Sequence, residues 1–130
     1  MKVLALDYGR ARTGVAVSDP TGQVARPVGV VERAATEAGL ARVADLVRDE
    51  RAELVVVGLP LTLQGVHGEQ AEETERFVEL LRAALDVPVE SFDERFTTDL
   101  AEQSGTKAPR DAAAAAHLLA GYLTRRAGRT

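Results

Sequence analysis

A chain of 130 residues, 45% hydrophobic and 28% charged with a net charge of −4, has the make-up of one globular domain spanning residues 1–130. The absence of cysteine excludes disulfides and thiolate metal sites and fits a reducing cytoplasm. No apolar stretch reaches the length of a membrane span, and the first residues run into a strand without a signal-peptide pattern, so the expectation is a cytoplasmic protein with no membrane partner.

Lys2–Asp7, Thr13–Ser18 and Gln23–Val31 read as three strands, the first two joined by a reversal that Gly9 and Gly14 bracket. Pro27 demotes part of the third to an edge. Thr36–Arg51 reads as a helix with Leu40, Val43, Leu46 and Val47 on one face. Leu54–Gly58 is a β-branched run, hence a buried parallel strand, and a polar loop over Thr62–Gly68 follows it. Glu69–Leu85 is amphipathic: Ala71, Thr74, Phe77, Val78, Leu81 and Leu85 face inward, while Glu72, Glu73, Glu75, Arg76 and Glu79 face water. Val87–Phe92 is a fifth strand. Thr97 or Thr98 caps a short helix to about Gln103, and Pro109 opens a last helix running to about Arg126.

This order makes an α/β fold with a five-stranded mixed sheet and helices on both faces. The first three strands are antiparallel, and right-handed crossovers set the fourth and fifth parallel to the first. The carboxyl ends of strands one, four and five then share one edge of the sheet, where open α/β folds place their ligands.

Asp7 stands at that edge, at the end of the apolar run Val3-Leu4-Ala5-Leu6, where an uncompensated carboxylate is costly. The bland alternative is an aspartate that caps a hairpin. Asp93-Glu94 end the fifth strand, and because neighbouring strand residues point to opposite faces, only one of the two can face Asp7. Alternation alone does not choose between them. Asp111 precedes Ala115, Leu118 and Tyr122 by one, two and three helical turns, so it lies on the apolar stripe of the last helix. Helix-dipole preference explains an acid in a first turn but not an acid on a buried stripe.

Three carboxylates converging on one edge suit hard divalent cations, Mg²⁺ or Mn²⁺, in a pair that clamps the attacking water and the leaving oxygen of a phosphodiester displacement. Two isolated histidines, His67 and His117, argue against zinc. Charge is divided unevenly. Residues 1–31 carry four basic and two acidic side chains, residues 32–90 six and thirteen, and residues 91–130 six and five. The two ends that hold the candidate acids are thus locally basic, which permits a polyanionic ligand.

The chain resembles the YqgF/RuvX family along essentially its whole length. Its carriers are Asp7-Tyr8-Gly9 with Arg12, Gly14-Val15-Ala16-Val17-Ser18-Asp19, Gly58-Leu59-Pro60-Leu61 with Gly65, Asp93-Glu94-Arg95 with Thr97-Thr98, and Asp111-Ala112 with the alanines that follow. The family comprises small bacterial proteins of RNase H-like fold, described as Holliday-junction resolvases and pre-16S rRNA nucleases. The resemblance implies a metal-dependent nuclease with catalytic and metal-holding acids Asp7, Glu94 and Asp111. It also implies structured nucleic acid as partner, precursor 16S rRNA above all, and contacts with assembling ribosomes. Arg12, Arg95, Lys107 and Arg110 are the expected phosphate contacts, and the expected oligomeric state is a monomer or weak homodimer. The chain departs from the family in Arg10-Ala11, in Thr62-Leu63-Gln64 and in Phe96.

Three other readings compete. Branched DNA is the alternative substrate. A non-catalytic ribosome-assembly module would give no reason to keep carboxylates on buried positions. An ATP-handling domain of the actin and sugar-kinase type also ends its first strand in Asp-x-Gly, but it needs two such domains and 130 residues hold one.

Overall fold

The apolar run Val3–Leu6 is buried on both faces, as a central strand must be. The computed structural model describes residues 1–60, 68–93 and 110–127. In chain order these form β1 (Val3–Asp7), β2 (Arg12–Ser18), β3 (Ala25–Glu32), α1 (Glu37–Glu50), β4 (Leu54–Leu59), α2 (Glu69–Ala84), β5 (Val89–Asp93) and α3 (Arg110–Ala127). The sheet runs β3-β2-β1-β4-β5. β1 is antiparallel to β2 and parallel to β4, and β4 is parallel to β5, which is the mixed sheet the sequence predicts. β3 is an edge strand, so Pro27 leaves no ladder bond unmade inside the sheet.

Alternation sorts the side chains into two cores. Leu4, Leu6, Val55 and Val57 pack with Val43 and Leu46 of α1 and Phe77 and Leu81 of α2. Val3, Ala5, Ala16 and Val56 pack on the other face with Phe92 and with Ala115, Leu118, Leu119 and Tyr122 of α3. Helices therefore cover both faces.

The differences from the predicted elements lie at their ends. Thr36 and Arg51 are caps rather than helical residues: the Thr36 hydroxyl accepts from the Gly39 N–H at 3.1 Å, and Arg51 adopts the left-handed conformation with φ 55°. β5 begins at Val89, not Val87, because Pro88 has no N–H to give the ladder; its carbonyl accepts from the Val55 N–H. The expected short helix over 97–103, and most of the polar loop after β4, lie outside the described residues.

Candidate active site at the carboxyl edge of the sheet

Asp7 is the last residue of β1 and is half-buried. It shares strand parity with Val3 and Ala5, so it belongs to the face that α3 covers. Its partner across the β1–β2 ladder is Gly14. Only glycine fits there. A Cβ at Gly14 would stand 1.7 Å from the carbonyl oxygen of Asp111, so the first turn of α3 lies directly on the strand backbone. Paired residues of antiparallel strands are about 4.5–5.5 Å apart, which makes the main chains of Asp7 and Asp111 near neighbours across one missing side chain. Arg12, at the start of β2, reaches the same place: its Nε lies 3.5 Å from Oδ2 of Asp111, with both side chains partly open to solvent.

Parity fixes the face of Asp93, the last residue of β5. Phe92 is opposite Gly58 and packs in the α3 core, whereas Asp93 is opposite Leu59 and takes the parity of Val89, which packs with α1 and α2. Asp93 is thus on the other face from Asp7. Glu94, Arg95 and Lys107 lie outside the described residues, as does His67. Arg110 opens α3 one residue before Asp111. His117 is half-buried, six residues beyond Asp111 and off its stripe. Among the described residues no group of three or more acidic, histidine or cysteine side chains is assembled for a metal. The pair that is brought together is Asp7 and Asp111.

The turn between Asp7 and Arg12 is fastened on the opposite face as well. The Tyr8 hydroxyl donates to Oε1 of Glu73 at 3.2 Å, and Arg10 donates to both Glu73 oxygens, at 3.0 and 2.7 Å. The Tyr8 ring stacks on Phe77 with centroids 4.4 Å apart. Burial, with the Glu73 charge beside it, pushes the Tyr8 phenol above its ordinary value, while the Arg10 hydrogen bonds hold the Glu73 carboxyl below its own. Helical periodicity set Glu73 among the water-facing acids of α2, and this must be corrected. Glu72, Glu75 and Glu79 are exposed, but Glu73 is half-buried beneath the Asp7 turn. The period of one helix carries no sign of a partner 63 residues away. An aromatic residue directly after Asp7 was the available signal.

Residues 1–125 match the RuvX family, described as Holliday junction resolvases. The chain belongs to the RuvX family. A relative from Chloroflexus aurantiacus, named as a candidate pre-16S rRNA nuclease, is 41% identical over 133 residues, an alignment that covers 95% of this chain and 87% of the relative. One from Anaeromyxobacter carrying the same name is 42% identical and covers 95% and 96%. Among solved structures, Thermus thermophilus RuvC bound to a Holliday junction substrate superposes with a TM-score of 0.65 at 22% identity, covering 100% and 98% of the two chains. A fowlpox virus resolvase superposes with 0.57 at 13%, covering 97% and 99%. At these identities the likeness is one of fold, and the fold of this RuvX-family chain is RNase H-like. The chain is a nuclease, which sets aside the ATP-handling reading. No helix among its described residues is long and apolar enough to cross a membrane.

Proposed function

We propose that this RuvX-family nuclease is a cytoplasmic, metal-dependent enzyme that hydrolyses phosphodiester bonds near the 5′ end of precursor 16S rRNA. The observation that supports this reading best is the seat of Asp111 on Gly14, directly across from Asp7. The donor set fits the ion expected. Among the described residues, two carboxylates at one sheet edge, with no cysteine in the chain and with His117 off the stripe, are oxygen donors of the kind that Mg²⁺ or Mn²⁺ prefers over zinc. Glu94 completes the set in this proposal, because Asp93 takes the parity of the opposite face. When bound, such a cation lowers the pKa of its water and neutralises charge on the leaving oxygen.

The residues of the chain have their own work. Asp7 at the end of β1 and Asp111 in the first turn of α3 would hold the cation together with Glu94. Arg12 balances Asp111 in the free protein and offers its guanidinium to the substrate backbone, with Arg95, Lys107 and Arg110 as further phosphate contacts. The description of the matching family favours branched DNA as a second substrate.

Asp7→Asn and Asp111→Asn keep shape and remove one charge each. Cleavage of a precursor rRNA end should fall at least a hundredfold, roughly 3 kcal/mol of barrier. Stability should hold for Asp7→Asn and fall by less than about 1 kcal/mol for Asp111→Asn, which loses only its partly exposed ion pair with Arg12. A four-way DNA junction assayed in parallel separates the two substrates. Variants that cut as the parent does would refute the site.

A further inference from the structure

A cavity of about 540 Å³ opens immediately behind the catalytic edge, lined by Tyr8, Ala11, Arg33, Ala35 and Thr36 and by the Arg10–Glu73 ion pair. That volume is within the range of small-molecule sites. It lies on the α1/α2 face of the sheet, whereas Asp7 belongs to the α3 face; Tyr8, the next residue, separates the two. Tyr8 is a rigid platform, held by its stack on Phe77 and by its hydrogen bond to Glu73. Ala11 and Ala35 leave room over it.

The opposite wall is a turn held against its own preference. Arg33 has φ 46°, a left-handed conformation that non-glycine residues rarely take. Three features pin it. Its N–H donates to the Ala11 carbonyl at 2.9 Å, and its carbonyl accepts from the Thr36 N–H and hydroxyl at 3.0 and 2.7 Å. Gly39 packs so closely that a Cβ there would lie 2.1 Å from the Arg33 carbonyl oxygen. Backbone strain of this kind gathers at binding sites. The polar groups around the cavity differ in one respect. Glu73 is taken by Arg10 and Tyr8, and the Thr36 hydroxyl is taken by the helix cap. The Arg33 guanidinium, by contrast, is exposed and makes no hydrogen bond or ion pair with the described residues.

We propose that this cavity is a nucleotide subsite: it takes one unpaired nucleotide of the strand whose neighbouring phosphate is cut at Asp7, with the base against Tyr8 and the phosphate on Arg33. The assignment rests on nucleic acid as the substrate of the Asp7 site. Stacking on an aromatic ring and a guanidinium on the backbone are how proteins hold single strands, with little dependence on base identity. The juxtaposition of a free arginine, a fixed ring and two small apolar walls one residue from Asp7 suits a nucleotide better than a bare anion, which would leave the ring unused.

The test is binding of a short single-stranded RNA carrying one 2-aminopurine, in metal-free buffer, followed by fluorescence. The base should be quenched on binding. Arg33→Asn removes the charge with a residue that tolerates the left-handed region, and should weaken binding at least about fivefold and reduce the salt slope by about one. Tyr8→Leu should weaken binding by between about five- and a hundredfold and abolish the quench, while Tyr8→Phe should keep both. Parental affinity and quench in both Arg33→Asn and Tyr8→Leu would overturn the subsite. So would binding of the free 2-aminopurine monophosphate as tightly as the strand. Because no metal is present, this outcome is independent of the cleavage assay on Asp7→Asn, and either reading can fail alone.

Discussion

The two faces of the sheet are packed to different depths. On the α1/α2 face, Leu4, Leu6, Val43, Phe77 and Leu81 fill the space between strand and helix with large side chains. On the α3 face the contacts near the site are Ala5, Ala16, Ala112 and Ala115, and at Gly14 there is no side chain at all. A helix set on large residues stands off the sheet, whereas one set on glycine and alanine brings its backbone down to the strand. The thin face is where Asp7 and Asp111 meet. Close packing here places charges, and the large side chains of the thick face add buried apolar area that offsets the cost of doing so.

One added methyl group is the severest strain the thin face can be given. In Gly14→Ala the new Cβ would fall 1.7 Å from the Asp111 carbonyl oxygen and 2.2 Å from its carbon, both main-chain atoms that cannot swing away. Urea unfolding should show a loss of at least about 4 kcal/mol, or no cooperative transition. Gly29→Ala on the edge strand, where nothing lies within 4 Å of the added atom, should be neutral or stabilising by about 0.5 kcal/mol. Equal stability of the two variants would mean that α3 is not seated on β2.

The next pair sets stability against activity. Leu81→Ala empties part of the thick core and should cost about 2–5 kcal/mol, yet leave cleavage per folded molecule unchanged. Ala115→Val overfills the thin core and should cost only about 1–3 kcal/mol, but it pushes away the helix that carries Asp111 and should lower kcat. If the costlier variant is also the less active, activity merely follows stability and the thin face has no special role.

This asymmetry was partly written in the sequence. The apolar run into Asp7, the Asp111 stripe and the alanines after it all mark a charge held on a tightly packed face, because each is a local pattern with a fixed period. The choice of Gly14 as the seat of α3 was not legible, since nothing near Gly14 announces a helix 97 residues further on. The face of Asp93 was not legible for a related reason: alternation fixes a residue's face only relative to its strand neighbours, and the pairing of Gly58 with Phe92 supplies the reference. Glu73 was misplaced because the period of α2 describes the helix alone and not the turn that docks on it.

At the surface the two faces differ in charge. Arg12→Gln removes an exposed partner of Asp111, so stability should change by less than about 1 kcal/mol. The salt slope of nucleic-acid binding should nevertheless fall by about one counterion. Neutralising Glu72, Glu75 and Glu79 together should do much less, because these are exposed positions on α2, across the sheet from Asp111. Glu73 does not belong in that control set. A titration of affinity against salt decides it: an unchanged slope for Arg12→Gln beside a changed one for the glutamates would put the backbone on the α2 side.

The smallest effect is the acid limb of the stability curve, and it isolates the clamp on the thick side of the Asp7 turn. Hydrogen bonds from Arg10 hold the folded Glu73 carboxyl below the ordinary glutamate value. A depressed carboxyl contributes stability that is fully present above the unfolded value and is lost as pH falls through the folded one. Asp19 loses stability in the same direction, since the Thr21 hydroxyl and the backbone N–H groups of Val24 and Gln23 hold it far below the ordinary aspartate range. The parent curve therefore sums at least two groups, and only a difference is informative. Melting temperature against pH, from about 6 down to 3, should fall less steeply for Glu73→Gln than for the parent, with the two curves converging at the acid end. Arg10→Gln should reproduce that flattening, because it returns Glu73 toward its ordinary value while leaving Asp19 alone. Parallel curves for all three proteins would show that the Arg10–Glu73 pair is formed too loosely to hold the turn, and that Asp7 is positioned from the α3 side alone.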